Sequence, residues 1–561
     1  MKRMRLLGCL ILLAAVSALP GFAQTADLGS IKFPTSCSKP AQGHFERGVL
    51  ALHSFWFEEA LAAFREATKA DAKCVMGYWG EAMAHNHPLW AEQDTESARA
   101  VMAKVTDFSH ITAREREWWE ALKALYGEGD KLARDKAYAA VMERMYRKHP
   151  EDFESAIFYS LSLLGTVRPG DKGFARQVEA GAIALDVFAK NPNHPGAAHF
   201  VIHAFDDPEH AVLALPAAFR YAKIAPEAHH ARHMPSHIFI QRGMWPEGEA
   251  SNISAWEASV NWVNRKNLNP ARKDLHSLHW WLYIALQQGK FRKAQELLDL
   301  RTQVMAAAEK RGPDSAGPLR PGAGRRYAAY MNAAMIVETE QWTRAAELFP
   351  RESAQPPAST AGEHVHGAAP ASNAYTPADI YGAFLRGLAA ARNGAAEAEK
   401  EAAFLQEGAK KSAAEGDAYY GRFMEVMALG VEAQLHAARG NFEKATSLMQ
   451  QATKIEEGMS PPSGPPDLIK PSHELFGEIL LKAGRGAEAQ AQFEVALQRQ
   501  PNRARSLLGA ARAAKAAGNA EVARNYYDKL SSIWKSADQN LAELREVQDA
   551  LKQMPVRAGQ M

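Results

Sequence analysis

A 34-residue period near the C-terminus constrains this chain more than any other feature. Gly477 is followed by Ala489, Phe493, Ala496 and Pro501, and 34 residues further on stand Ala511, Ala523, Tyr527 and Leu530. Gly484 maps onto Gly518 in the same way. Small residues where two helices touch, an aromatic knob and a closing proline describe a helical hairpin that cannot bury its apolar face alone. Stacked copies can. A chain of 561 residues is long enough for three to five separate domains, but the repeat favours one long array.

The pattern resembles the tetratricopeptide repeat. Other stretches fit the same frame: Gly48, Ala60, Phe64 and Ala67; Ala214, Ala218, Tyr221 and Pro226; Leu282, Gly289, Phe291 and Ala294; Ala333, Ala345 and Phe349; Ala433, Gly440, Ala445, Met449 and Ala452. Helical periodicity continues between them without a convincing strand. The expected fold is all-α: a solenoid of roughly 25 helices in antiparallel pairs, wound as a right-handed superhelix with a concave face. Segments 309–325, 350–375 and 458–470 are rich in Pro, Gly, Ala and Ser and read as exposed loops or hinges. They suggest an N-terminal array over 24–308, a loop-rich connection with one helix pair over 309–375, a C-terminal array over 376–552 and a frayed tail at 553–561. His364 and His366 fall in the second loop.

Residues 1–23 have the form of an export signal. Lys2, Arg3 and Arg5 precede an apolar run from Leu6 to Leu19, Pro20 breaks it, and Gly21 and Ala23 suit cleavage before Gln24. Loss of three cations takes the formal charge from +2 to −1, so charge does not drive this chain to nucleic acid. After residue 23 no run is long and apolar enough for a membrane helix. The mature chain is thus expected in the periplasm or outside the cell. Cys37 and Cys74 remain; in an oxidising compartment they are expected to pair, closing a loop of about 36 residues worth about 3–4 kcal/mol.

The histidines carry the functional signal. Ten of 20 lie between residues 194 and 279. His199 and His203 are four apart, as are His233 and His237, and the second pair follows the first by 34 residues. Counting each repeat from its first residue, His199, His233 and His279 take position 5, His203 and His237 position 9, and His230 and His276 position 2. Tyr283 takes position 9 in the third copy. Spacings of three and four place these on one helix face, with neighbouring helices about 10 Å apart. Further along, the same face carries Glu474, Glu478, Arg505 and Arg512; Glu81, His85, His87 and His53 lie in the N-terminal hairpins.

Imidazoles from adjacent helices are ligands for zinc, copper, iron or nickel. His199, His203, His230, His233, His237, His276 and His279 could hold one ion or two, with Glu478 or Glu81 adding a carboxylate. HFVIH and HMPSH lack the glutamate of HExxH, so zincin-type peptide hydrolysis is not indicated. Ser236 sits in no nucleophile elbow, and there is no phosphate loop or dinucleotide fingerprint. The alternatives are a groove for a protein, a peptide or an anionic ligand, with His, Arg242 and Tyr283 as donors, and a metal-dependent enzyme acting on a small substrate. No reaction can be assigned from these residues.

Four blocks together resemble a family of exported bacterial tetratricopeptide-repeat proteins: CVMGYWGEAMAHNHPLW (74–90), HPGAAHFVIHAFDDPEHA (194–211), HMPSHIFIQRGMW (233–245) and PSHELFGEILL (471–481). The resemblance covers most of residues 33–535. It implies a helical solenoid, an extracytoplasmic address and a first-helix face that lines the groove. It implies no particular reaction.

Overall fold

Phe493 shows how the repeat packs. Its ring lies between Gly477 and Gly509, and a Cβ on either glycine would overlap it. Phe64 sits in the same way between Gly48 and Gly80, near the other end of the chain. An aromatic knob on one helix, held by glycines on the helices before and after it, sets the hairpin spacing by close packing. The motif recurs at both ends, so the array is continuous in kind although its middle copies depart from the pattern.

The computed structural model describes residues 27–168, 171, 173–312, 314, 322–351 and 375–554. The expected leader lies outside these, as do His364, His366 and the end of the tail. The described residues form 26 α-helices and four short 3-10 turns. The one sheet among the described residues is a two-residue pairing of Asn86–His87 with Glu92–Gln93. No described helix is long and apolar enough to cross a membrane. The architecture is an α-solenoid of antiparallel helix pairs, of the tetratricopeptide-repeat type.

Helices fall into two layers. Phe153–Gly165, Pro195–Ala204, Leu275–Gln287, Ser472–Lys482 and Ala504–Ala516 are buried along most of their length. Their partners, such as Phe291–Arg311 and Gly486–Arg499, bury one stripe and expose the other, the amphipathic pattern of an outer layer. The apolar core divides near residues 240–268. The helix Ala323–Thr339 packs against both Leu275–Gln287 and Pro377–Arg392, so the array runs on through that region.

The solenoid winds back on itself. Trp245 Nε1 donates to the Asn502 carbonyl at 3.0 Å, Ala504 N to Gln287 Oε1 at 2.9 Å, and Trp534 Nε1 to the Gln287 carbonyl at 3.0 Å. The C-terminal hairpins therefore pack against residues 240–290.

Segment 458–470 corrects the expectation of an exposed loop. Gly464 lies against the Trp280 ring, Gln241 Nε2 donates to the Pro462 carbonyl at 2.7 Å, and Tyr381 donates to the Asp467 carbonyl at 2.8 Å. Leu468, Ile469 and Lys470 are buried. Proline-rich composition marked a segment without helix; it did not reveal that the inner wall offers aromatic rings and side-chain donors to cover it.

Cys37 and Cys74 are bonded, 37 residues apart. Reduction is expected to lower stability by about 3–4 kcal/mol. Urea unfolding with and without reductant measures this, and a Cys37→Ser/Cys74→Ser variant should match the reduced protein.

Candidate functional site: two imidazole triads on the inner face

The inner helices carrying the histidines begin at well-defined caps. His194 Nδ1 accepts the Ala197 N–H at 3.2 Å, with Pro195 in the first turn. Asp274 Oδ1 accepts the Ser277 N–H at 3.0 Å. Between these helices, His229–His233 and Pro235–Gln241 form one helical stretch broken at Met234, as the following proline requires.

The first triad is His199, His203 and His230. His203 Nε2 is 2.9 Å from His199 Nε2, and His230 Nε2 is 3.2 Å from it. The second is His233, His237 and His276: His233 Nε2 lies 3.2 Å from His237 Nε2, and the His276 ring is centred 4.5 Å from that of His233. Within each triad the three ligand atoms lie within 4.8 Å of one another. The triads adjoin, with the His203 and His237 rings 6.1 Å apart and those of His230 and His233 also 6.1 Å apart.

The outward hydrogen bonds assign the ring protons. His199 Nδ1–H donates to the His53 carbonyl at 2.6 Å. Asn252 Nδ2 donates to the Gly248 carbonyl at 2.8 Å, which turns Oδ1 toward His233; His233 Nδ1–H then donates to it, also at 2.8 Å. His237 Nδ1–H donates to Asp206 Oδ2 at 2.6 Å. In each neutral ring the Nδ1 proton points outward, so Nε2 presents a lone pair inward. Burial lowers His199 to about 3 and His233 to about 4, and pushes His237 well below the usual range. Burial also pushes Asp206 up, so less negative charge stands beside His237 to favour a second proton on that ring. The inward lone pairs of His199, His233 and His237, on rings that resist protonation, are of the kind a metal ion could use as ligands.

A third cluster has the opposite polarity. Glu154 lies between His53 Nε2 at 2.8 Å and His194 Nε2 at 3.2 Å. His194 Nδ1 accepts a backbone N–H, so its proton is on Nε2, facing the carboxylate. Two imidazole N–H groups thus converge on one anion. Although the three residues are close enough for a metal, this arrangement supports the first triad through the His53 carbonyl and presents no inward lone pairs of its own.

Aromatic rings wall the site. Phe55 adopts left-handed backbone with φ 50°, a conformation that costs an aromatic residue energy. Its ring is 4.4 Å from His199, 5.6 Å from His203 and 5.8 Å from His230. Trp280 covers His237 at 4.3 Å and His233 at 4.7 Å.

The other sequence-derived candidates lie elsewhere. His279 shares its helix with His276 but stacks on Tyr330 at 5.4 Å, beside the triads. Tyr283 accepts from Arg503 Nη1 at 2.9 Å. Glu474 binds Arg503 Nε at 2.8 Å, Ser506 at 2.6 Å and Lys470 at 2.9 Å. Glu478 pairs with Lys470 and with Arg392 at 3.6 Å. Arg505 meets Glu340 at 2.9 Å, Arg512 meets Glu546 at 2.6 Å, Glu81 meets Arg65 at 2.8 Å, and His85 lies 3.8 Å from Asp94. Neither Glu478 nor Glu81 supplies the carboxylate; Asp206 is the acid found against a triad imidazole, on His237, while Glu154 lies against His53 and His194.

No family model matches the chain, and no curated protein matches it. Solved structures similar to it are helical-repeat proteins. The tetratricopeptide domain of P58(IPK) is 14% identical, covers 72% of this chain and 99% of its own, with TM-score 0.21. Yeast Tom70 is 11% identical over 92% of this chain and 97% of its own, with TM-score 0.32. A human IFIT1 dimer with PPP-AAAA is 12% identical over 87% of this chain and 89% of its own, with TM-score 0.30. These superpositions are loose, and the fold class rests on the helix order and packing described above.

Proposed function

We propose that this protein binds transition-metal ions on the inner face of its solenoid, one at His199, His203 and His230 and one at His233, His237 and His276. The observation that carries this reading is the set of Nε2 atoms turned inward by Nδ1 bonds to the His53 carbonyl, Asn252 and Asp206. An all-imidazole set suits zinc, copper, iron or nickel and disfavours magnesium or calcium. Three nitrogen donors leave a coordination position open for water or a ligand. The scaffold reading is weaker, because the inner face already holds the protein's own Pro462–Lys470 segment. A periplasmic or extracellular address belongs to the same proposal, supported by the leader-like residues 1–23 and the disulfide.

Metal content tests this. Untagged protein dialysed against zinc or copper should retain about two equivalents, one per triad. His199→Ala/His203→Ala and His233→Ala/His237→Ala should each lose one, and the fourfold variant both. Asp206→Asn should weaken the second site by about 10–100-fold. Wild-type protein holding less than about a tenth of an equivalent, or equal content in all variants, would overturn the proposal.

A further inference from the structure

Beside the second triad lies a small pocket that is partly open to solvent. Its lining begins at His276 and Trp280, which also bound the triad, and continues through His279, Tyr330, Tyr381 and Asp467. Part of its wall is ring faces and edges: His279 stacks on Tyr330 at 5.4 Å and 24°, and Tyr381 meets Tyr330 edge-on at 5.6 Å; the rest is largely the proline-rich segment 462–466. Among the described residues, neither the Tyr330 hydroxyl nor the His279 ring has a hydrogen-bond partner. The Asp467 carboxylate, already accepting from Tyr419 at 3.0 Å, has a second oxygen. Aromatic walls and three polar groups beside the second triad suit a flat ring that carries hydroxyl groups.

We infer that this pocket takes a hydroxylated aromatic ring, a phenol or catechol, packed between Trp280 and Tyr330 with its oxygen on the ion held by His233, His237 and His276. The inference rests on the metal-binding proposal for the position of that oxygen. The ring site itself is built from residues outside the triads. The same chemistry is offered by a small free phenol and by a tyrosine side chain of a peptide.

The test uses zinc-loaded full-length protein with 4-nitrocatechol, whose visible absorption shifts when its oxygens bind a metal, and with N-acetyltyrosinamide. One equivalent of 4-nitrocatechol should bind with a visible shift and quench tryptophan fluorescence. Tyr330→Phe and His279→Ala should each weaken it by about 10-fold, the loss of one hydrogen bond, with unchanged circular dichroism and zinc content. His199→Ala/His203→Ala should leave the shift intact. His233→Ala/His237→Ala should abolish the shift and retain the quenching. Binding of 4-nitrocatechol alone assigns a free phenol, and binding of both probes admits a tyrosine side chain. No shift in protein that holds zinc, or a shift of equal affinity in Tyr330→Phe and His279→Ala, overturns the inference while leaving the metal sites standing. If wild-type protein retains no zinc, quenching of the metal-free protein that is weakened by Tyr330→Phe still supports the pocket, and quenching indifferent to it, or absent, overturns it.

Discussion

Metal-free protein is expected to unfold cooperatively as the pH falls from about 6.5 to 4.5. Burial lowers His199 to about 3, His233 to about 4 and His279 to about 3. Above pH 6.5 these rings are neutral in folded and unfolded chains alike, and pH has no purchase on them. Below it the unfolded chain takes up protons that the folded chain refuses, so stability is lost as pH falls toward the folded values. Each ring contributes about 1.4 kcal/mol per pH unit, so the three together remove about 4 kcal/mol per unit. His53, His203, His237 and His276 shift in the same direction, against His229, Asp206 and Asp467 in the opposite one. Two pH units then consume about 8 kcal/mol, within the net stability of a typical domain. Circular dichroism of chelator-treated protein measures this; a spectrum unchanged to pH 4 would contradict it. Zinc should move the transition to lower pH, because a bound ion competes with protons for Nε2.

The second large effect is expected at Arg503. Its side chain is wholly buried, with Glu338 at 2.7 Å, Glu474 at 2.8 Å and Tyr283 at 2.9 Å. Burial would raise Glu474, but Arg503 and Lys470 outweigh it and hold the carboxylate low. Glu338, with fewer partners, is raised by its burial despite Arg503. Arg503→Met leaves these carboxylates buried without their shared cation. That should cost about 3–5 kcal/mol, the usual result of removing one partner from a buried ion pair. Adding Glu474→Gln and Glu338→Gln should recover part of the loss. Because Arg503 joins the C-terminal hairpins to the Tyr283 helix, unfolding should also become less cooperative. Thermal and urea unfolding check both, and a loss under about 1 kcal/mol would show that the network is solvated or replaceable.

Glu474 also shows where sequence reasoning stops. It occupies the same repeat position as His199 and His233, and the register correctly sets it on an inner helix. Register does not tell whether an inner side chain faces a hollow or a neighbouring cation; that depends on Arg503, 29 residues away. The histidine pairs were legible because both imidazoles of a pair lie four apart on one helix and the pairs recur at the repeat length. Their hydrogen-bond acceptors were not. His53 reaches His199 across 146 residues, Asn252 reaches His233 across 19 and Asp206 reaches His237 across 31, with no common spacing. Asp206 alone left a trace, as an acid just beyond the His199 helix. The solenoid itself was readable because glycine and phenylalanine recur wherever two hairpins touch, whereas the covering of the proline-rich segment 458–470 depends on rings contributed by distant helices.

On the reading proposed above, the Nε2 atoms of the two triads hold metal ions. X-ray absorption at the zinc edge of loaded wild-type protein tests it most directly. The expected result is an average first shell of three imidazole nitrogens at about 2.0–2.1 Å plus one light-atom ligand, with imidazole outer-shell scattering. In His233→Ala/His237→Ala the remaining zinc should give the same spectrum at half the content. A first shell dominated by carboxylate or water oxygens, or with fewer than two imidazoles per ion, would show that the triads do not hold the metal.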